Sequence, residues 1–347
     1  MNPDKPVRFA IVGIGYIGRR HADVIQSNHN AILIAACDTD LSKKDLCSDY
    51  DVPFYTDIDK MLQSEDFDVL CVASPNSWHA EHALKGLRSE KHVVIEKPMA
   101  IKVSDCLEIY DTSVRMAKKV FCVMQNRYSP PSVWLKDLLT NGVLGQIYMV
   151  QINCFWNRDE RYYRHAVWKG KAKPDGGTLF TQFSHFVDMM FWLFGDIQNI
   201  TSKFMDFNHQ KLTEFEDSGH ITFDFLNGGY GSLNYSTSVW DRNLESSVTI
   251  IAEKGSVKVG GQYMNSVEYC HIENYTMPIL KASNPPNDYG AYKGSASNHE
   301  YFYDNVIEAL HSNAPITTNV LDGLKVVEII ERIYQTNPFF KLKSSNE

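Results

Sequence analysis

A chain of 347 residues is longer than one hydrophobic core usually organises, since single cores stop growing near ~250 residues, and two domains are the expectation. With 44% hydrophobic and 22% charged residues it has the balance of a soluble globular protein, and no run approaches the ~20 uncharged apolar residues of a membrane span. A formal charge of −8 argues against a nucleic-acid partner, whose phosphates are neutralised by Lys and Arg.

The chain opens MNPDKPVRFAIVG and passes straight into an apolar run, without the order of a secretory signal, so the mature chain is expected to begin at Met1. From residue 6 to about 125, short apolar runs (VRFAIVG, AILIAACD, DVLCVAS, KHVVIEK, VFCVMQ) alternate with amphipathic helical stretches. That alternation predicts a parallel sheet wrapped by helices on both faces. From about 145 the runs IYMVQINCFW, GHITFDFL, GGYGSLNYSTS and SVTIIAEKGSVKV, with one strong helix near 179–194, predict an α+β domain on a large open, antiparallel-rich sheet. Residues 281–298 read as a long loop, and the helical patterns near 298–312 and 320–336 can pack on either domain. The division is set at 1–125 and 126–347. Seven cysteines, Cys37, Cys47, Cys71, Cys106, Cys122, Cys154 and Cys270, form no C-x-x-C pair and are read as reduced, which predicts a cytoplasmic protein.

Gly13, Gly15 and Gly18 form G-x-G-x-x-G between the first strand and a helix starting near Tyr16. In that context the first glycine permits a tight turn, the second admits a pyrophosphate, and the third allows close strand-helix packing. Asp38 ends the second strand, twenty residues after Gly18, where a carboxylate accepts the adenosine ribose hydroxyls. It would repel a 2′-phosphate, and Thr39, Asp40 and Leu41 follow it without an Arg, so NAD is favoured over NADP. Ser74 and Asn76 end the fourth strand, with His79 in the next helix turn, at the edge where such a sheet receives its ligand. Tyr16, Ile17, Glu96, Lys97 and Gln125 complete the cofactor-binding candidates.

Glu96-Lys97-Pro98 ends the fifth strand, where the proline can take a cis peptide. Downstream, DGGTLFTQFSHFVDMMFWLFGD places Gln182 and His185 near the start of an apolar helix. Each residue has an ordinary explanation: a solvated lysine, a satisfied core histidine. Together they suit dehydrogenation of an alcohol, with His185 as base and the Lys97 ammonium stabilising the developing alkoxide. The reverse assignment, Lys97 as base, stays open. Ser184 beside His185 is no nucleophile pair, because adjacent helix residues face different ways. No metal motif is present, and His21 and His29 show no matching carboxylates.

These motifs resemble the Gfo/Idh/MocA oxidoreductases, in which G-x-G-x-x-G precedes E-K-P and a glycine-led helix ends in D-x-x-x-H. The resemblance spans nearly the whole chain and implies a catalytic Lys97–His185 pair, with dimers or tetramers built through the second domain's sheet. Thr181 stands where many members carry the Asp. QNR at 125–127, GQIYMVQINCFWNR, RYY, VWKG and DGGTLFTQFSH resemble the subgroup of UDP-N-acetylglucosaminuronate 3-dehydrogenases. That implies oxidation of the 3-hydroxyl of UDP-N-acetyl-2-amino-2-deoxyglucuronate, ahead of diamino-sugar and surface-polysaccharide synthesis, and puts Trp168 near the nicotinamide. Arg158, Arg161, Arg164, Lys169, Lys171 and Lys173 face only Asp159 and Glu160 over residues 158–173, a basic segment suited to an anionic nucleotide sugar. Arg127 and Arg158 are the candidates for the carboxylate, with Asn126, Tyr163 and Gln182 as polar contacts. Two other readings stand beside this one: a dehydrogenase of inositol or another free sugar, and a dinucleotide-sensing regulator without turnover.

Overall fold

The computed structural model describes residues 5–164, 166–290 and 292–337. The expected start at Met1 and residues 338–347 lie outside them. Among the described residues two compact units emerge, 5–124 with 299–327, and 125–298 with 328–337.

In the first unit the chain runs β1 (Val7–Val12), α1 (Tyr16–Ser27), β2 (Ala31–Cys37), β3 (Phe54–Tyr55), α2 (Ile58–Ser64), β4 (Val69–Val72), α3 (His79–Arg88), β5 (His92–Ile95), α4 (Val103–Arg115) and β6 (Val120–Cys122). The six strands are parallel in the order β3-β2-β1-β4-β5-β6. This is the Rossmann order, whose direction reverses between β1 and β4 and opens a ligand crevice at their carboxyl ends. The strands read as continuous apolar runs because a parallel sheet is covered on both faces: Phe9, Ala10 and Ile11 are fully buried. β3 is not among the apolar runs of the sequence, since two residues show no period; Phe54 and Tyr55 pair with Ala36 and Cys37.

The second unit contains α5 (Pro130–Thr140), β7 (Ile147–Phe155), α6 (Glu160–Tyr163), α7 (Ala172–Asp175), α8 (Ser184–Phe194), β8 (Ile197–Met205), β9 (Ser218–Phe225), β10 (Tyr230–Ser236), β11 (Glu245–Ala252), β12 (Gly255–Gly260), β13 (Ser266–Ile272), β14 (Pro286–Asp288) and β15 (Lys293–Ala296). Seven strands form one sheet in the order β13-β12-β11-β7-β10-β9-β8. Only β7 and β10 run parallel; the other pairs are antiparallel. Val150, Ile152 and Cys154 on β7, Ile221 and Phe223 on β9, and Leu233 and Tyr235 on β10 form the buried face. Alternate positions carry Asn153, Thr222 and Asn234 on the other, the period-two pattern of a sheet covered on one side. α8 is buried almost all round and supplies Phe186, Val187, Met189 and Met190 to the core. Each such side chain contributes roughly 1.5–3 kcal/mol by leaving water.

β8 and β13 are the sheet's edges and escaped the sequence reading, because Ile197 and Phe204 on one and Ile272 on the other are their only buried apolar residues. Residues 281–298 were expected as a loop but contain the β14–β15 hairpin, tied by Asn287 Nδ2 donating to Ser295 O at 3.1 Å. The terminal helices are α9 (His299–His311) and α10 (Val320–Gln335). α9 groups with the first unit, where the Tyr303 ring stands 5.4 Å from that of Phe9; the unit boundary falls within α10.

Candidate active site

The glycine turn after β1 has three distinct geometries. Gly13 has φ +95°, and a Cβ there would lie 2.6 Å from the backbone of Ala73 and Ser74. A Cβ on Gly18 would lie 1.9 Å from Gly13 O, so α1 could not approach β1 this closely with any larger residue. Gly15 has φ −87° and nothing within 4 Å of its Cβ position. No strain and no protein neighbour requires glycine there; the open space suits an external pyrophosphate against the backbone. Tyr16 is exposed and Ile17 half-buried on the following turn.

At the end of β2, Asp38 is buried. Its Oδ2 accepts from Ile14 N at 2.8 Å and its Oδ1 from Asp40 N at 3.0 Å. No Arg follows Asp38 closely, but a lysine does reach it: Lys43 Nζ donates to Asp38 Oδ2 at 2.9 Å. Lys43 sits in the 3₁₀ segment Leu41–Tyr50, which folds back after the Asp40 cap.

Ser74 is half-buried and Asn76 buried at the end of β4. The His79 ring lies 2.7 Å from both Ser74 O and Pro98 O, fastening the end of β4 to the end of β5. Lys97 is half-buried, precedes a cis peptide to Pro98, and donates its backbone N–H to Glu96 Oε2 at 3.0 Å. Glu96 is buried; its Oε1 lies 3.0 Å from His21 Nε2 and 3.7 Å from His299 Nε2. Burial opposes its ionisation, but these two imidazoles hold its carboxyl well below the usual range. His21 therefore has a carboxylate after all, one 75 positions away. His21 Nδ1 lies 2.7 Å from Tyr303 Oη. His21, Glu96 and His299 have the mutual spacing of metal ligands, as do Asp206, His209 and Asp217. In the latter group both His209 nitrogens are engaged, by Asp217 Oδ2 at 3.0 Å and Arg158 O at 2.5 Å.

In the second unit, Leu179–Phe183 forms a π-helical turn that runs into α8, an irregularity frequent at functional sites. His185 is buried in the first turn of α8. Thr181, at the position of the missing family carboxylate, hydrogen-bonds Asp175 Oδ1 through its hydroxyl, while Asp175 Oδ2 accepts from Gly170 N at 2.7 Å. A carboxylate six residues upstream thus reaches this position. Gln125 and Asn126 are buried, with Gln125 Oε1 and Asn126 Nδ2 lacking hydrogen-bond partners. An acceptor and a donor are thus unsatisfied within one short turn, which calls for an explanation in a native interior.

Arg127 is buried and paired with the buried Asp188, three residues after His185. Its guanidinium already has a carboxylate, so the expected role on a substrate carboxylate meets a standing ion pair. Arg158 differs. It is buried, with Nε donating to Gln182 Oε1 at 2.7 Å, Nη1 to Asn157 O at 2.6 Å and Asn243 Oδ1 at 3.2 Å, and Nη2 to Lys293 O at 3.1 Å. The Trp156, Tyr292 and Tyr162 rings lie 4.7, 5.1 and 5.2 Å from its guanidinium carbon. Every one of these partners is neutral. Gln182 is committed to holding this group, since its Nε2 donates to Tyr162 Oη at 2.7 Å. Tyr163 is buried with its ring 5.0 Å from that of Tyr162. Trp168 is half-buried in the turn before Gly170.

Three of the six cations of the basic segment, Arg161, Arg164 and Lys171, pair with carboxylates. Arg161 pairs with Asp159 and Asp241, Arg164 with Glu160, and Lys171 with Glu214, and such exposed pairs contribute little each. Lys169 Nζ lies 3.8 Å over the Tyr162 ring. Sequence reading missed Lys43, Asp175 and His299, each joined to its partner by a turn or by the fold. Asp188 carried a usable signal, its helical i+3 spacing from His185.

A Rossmann sheet with this glycine cradle, an open approach at Gly15 and a ribose-level carboxylate forms an NAD site, and the family match with its dehydrogenase relatives makes the protein an NAD-dependent dehydrogenase acting on a CH–OH group. The chain belongs to the Gfo/Idh/MocA oxidoreductase family: residues 7–124 match its NAD-binding Rossmann fold and residues 136–337 its C-terminal α/β domain. It is an NAD-dependent sugar oxidoreductase of that family. Two crystal structures of WlbA dehydrogenases, each in complex with NADH and UDP-GlcNAcA, are similar to it. The Bordetella pertussis protein is 30% identical with a TM-score of 0.85, and 96% of each chain is covered. The Chromobacterium violaceum protein is 30% identical with a TM-score of 0.86, covering 97% of this chain and 95% of that one. Glucose-6-phosphate 3-dehydrogenase of Bacillus subtilis is 24% identical over 341 residues, which are 94% of this chain and 95% of that protein. Among the described residues no helix is long and apolar enough to cross a membrane.

Proposed function

We propose that this dehydrogenase oxidises the 3-hydroxyl of UDP-N-acetyl-2-amino-2-deoxyglucuronate to the 3-keto sugar, in the synthesis of a diamino sugar for surface polysaccharide. The likeness to the WlbA dehydrogenases supports this reading, and Arg158 is the observation that carries it. A guanidinium has five N–H donors. The neutral contacts of Arg158 use four, which leaves one Nη2 hydrogen and a whole positive charge for the anionic substrate. Gln182 and the Trp156, Tyr162 and Tyr292 rings fix its orientation, and we assign Gln125 Oε1 and Asn126 Nδ2, together with Tyr163, to hydrogen bonds with hydroxyls of the ligand.

NAD, when bound, supplies the hydride acceptor. His185 takes the proton of the sugar hydroxyl, and the Lys97 ammonium stabilises the oxygen as it loses that proton. The family resemblance of E-K-P and of the glycine-led helix supports pairing these two residues. We assign the open face of the seven-stranded sheet to contact with further copies, as a homodimer or homotetramer. All seven cysteines are free thiols, in keeping with the cytoplasmic location we assign.

The test mixes purified protein with NAD and UDP-N-acetylglucosaminuronate, beside UDP-N-acetylglucosamine and myo-inositol, and follows reduced-nicotinamide absorbance. A signal confined to the uronate, with KM raised at least tenfold by Arg158→Met, supports the reading. Turnover of myo-inositol alone, indifferent to Arg158, moves the protein to the polyol reading.

A further inference from the structure

A carboxylate at the end of β2 excludes a 2′-phosphate by two means: it occupies the space, and it carries an uncompensated negative charge. Asp38 retains the first and has lost much of the second. Lys43 Nζ stands 2.9 Å from Asp38 Oδ2, on an oxygen that Ile14 N also donates to. Asp40 N occupies Oδ1. Three donors therefore anchor the carboxylate before any ribose arrives, and one of them is a full positive charge.

Of those three donors the backbone amides are fixed by the turn, whereas the lysine is not. The Lys43 side chain keeps about a third of its surface exposed. Its four-carbon stem can carry the ammonium aside without moving the backbone. The 3₁₀ segment that bears it is set by the Asp40 cap, whose side chain accepts from Ser42 N at 3.0 Å, so the lysine's origin is held at the ribose end of the crevice. Lys44, the next residue, is exposed in the same segment.

We propose that Lys43 makes this site accept a 2′-phosphorylated dinucleotide, NADP(H), as well as NAD(H). With NAD the ammonium stays on Asp38; with NADP it swings to the 2′-phosphate and forms a charge-assisted hydrogen bond there. Lys43 is thus the residue that sets the ratio between the two cofactors. The inference rests on the dinucleotide site alone and is independent of which sugar is oxidised.

Titration of the purified full chain with NADH and with NADPH, followed by nicotinamide fluorescence without any sugar, tests it. Saturable NADPH binding is expected, with a dissociation constant within about a hundredfold of that for NADH, and Lys43→Ala should raise the NADPH-to-NADH ratio by about tenfold or more, the scale of a hydrogen bond to a charged group. Raising the salt should weaken NADPH binding more than NADH binding. The idea is overturned if NADPH shows no saturation at millimolar concentration while NADH binds, or if Lys43→Ala leaves the ratio within twofold. If the uronate is not a substrate, the titration still decides the matter.

Discussion

Arg127 and Asp188 form a fork-to-fork ion pair inside the second unit, with Nε 2.9 Å from Oδ2 and Nη2 2.5 Å from Oδ1. Both side chains are almost wholly excluded from solvent. The pair ties the turn after β6 to α8 one helical turn beyond His185. Removing one partner leaves an uncompensated charge in the interior. Arg127→Met should therefore cost about 3–5 kcal/mol, whereas Arg127→Met with Asp188→Leu should recover much of it. Urea melts of both variants check this, and equal losses would rule out the ion pair as the cause.

The glycine turn separates fold from cofactor binding. Gly15→Ala meets no protein atom and needs no unusual φ. Its Tm should stay near that of the parent while NADH affinity falls at least tenfold. Gly18→Ala must displace Gly13 O and should destabilise the protein by several kcal/mol, on the scale of an overpacked core. Thermal melts and NADH titration of both separate the two causes. Unchanged NADH affinity in Gly15→Ala would contradict the open-approach account.

Glu216 is a buried carboxyl without a cation among its contacts. Tyr235 Oη and Tyr334 Oη both donate to its Oε1 at 2.7 Å, and its Oε2 has no partner. Burial pushes it from 4.5 up to about 7, against the two tyrosine hydrogen bonds. The folded state thus binds the proton more tightly than the unfolded chain. The resulting stability is present below pH 4.5 and lost as pH rises through 7, about 3 kcal/mol in all. Glu216→Gln lacks this loss, so its stability relative to the parent should improve by about that amount between pH 5 and pH 8. Denaturant melts at the two pH values measure it, and a constant difference would remove Glu216 as the source.

Lys97→Ala should keep NADH affinity within a few-fold and lower turnover by about 10²–10⁴, as should His185→Asn, the range of positioned acid-base groups. Single-turnover kinetics with the preferred sugar read this directly. A non-catalytic sensor would show no turnover to lose in the parent protein.

The opposing pKa displacements show why part of the chemistry was illegible in sequence. In the sequence Glu96 is a cofactor-binding candidate beside Lys97. It is held ionised against burial by His21 and His299, which come from α1 and from α9 at the far end of the chain. Periodicity reports which face of a helix is apolar, but not which distant imidazole that face meets.

What the sequence determined by itself was whatever local sterics and short spacing dictate. The alternation of apolar runs and helices called for a parallel sheet. The three glycines fixed the turn after β1, and Asp38 fell at the carboxyl end of β2 because twenty residues complete one helix and return the chain to the sheet. Only the tertiary structure decided the partners of charged groups. It gave Lys43 to Asp38, Glu96 to His21, Asp188 to Arg127, and neutral groups alone to Arg158. It also brought Asp241 to Arg161 and Glu214 to Lys171 in the basic segment at 158–173. The reason is physical: backbone conformation follows from neighbours along the chain, whereas a charge acts on whatever the fold brings within a few ångströms, at any sequence separation.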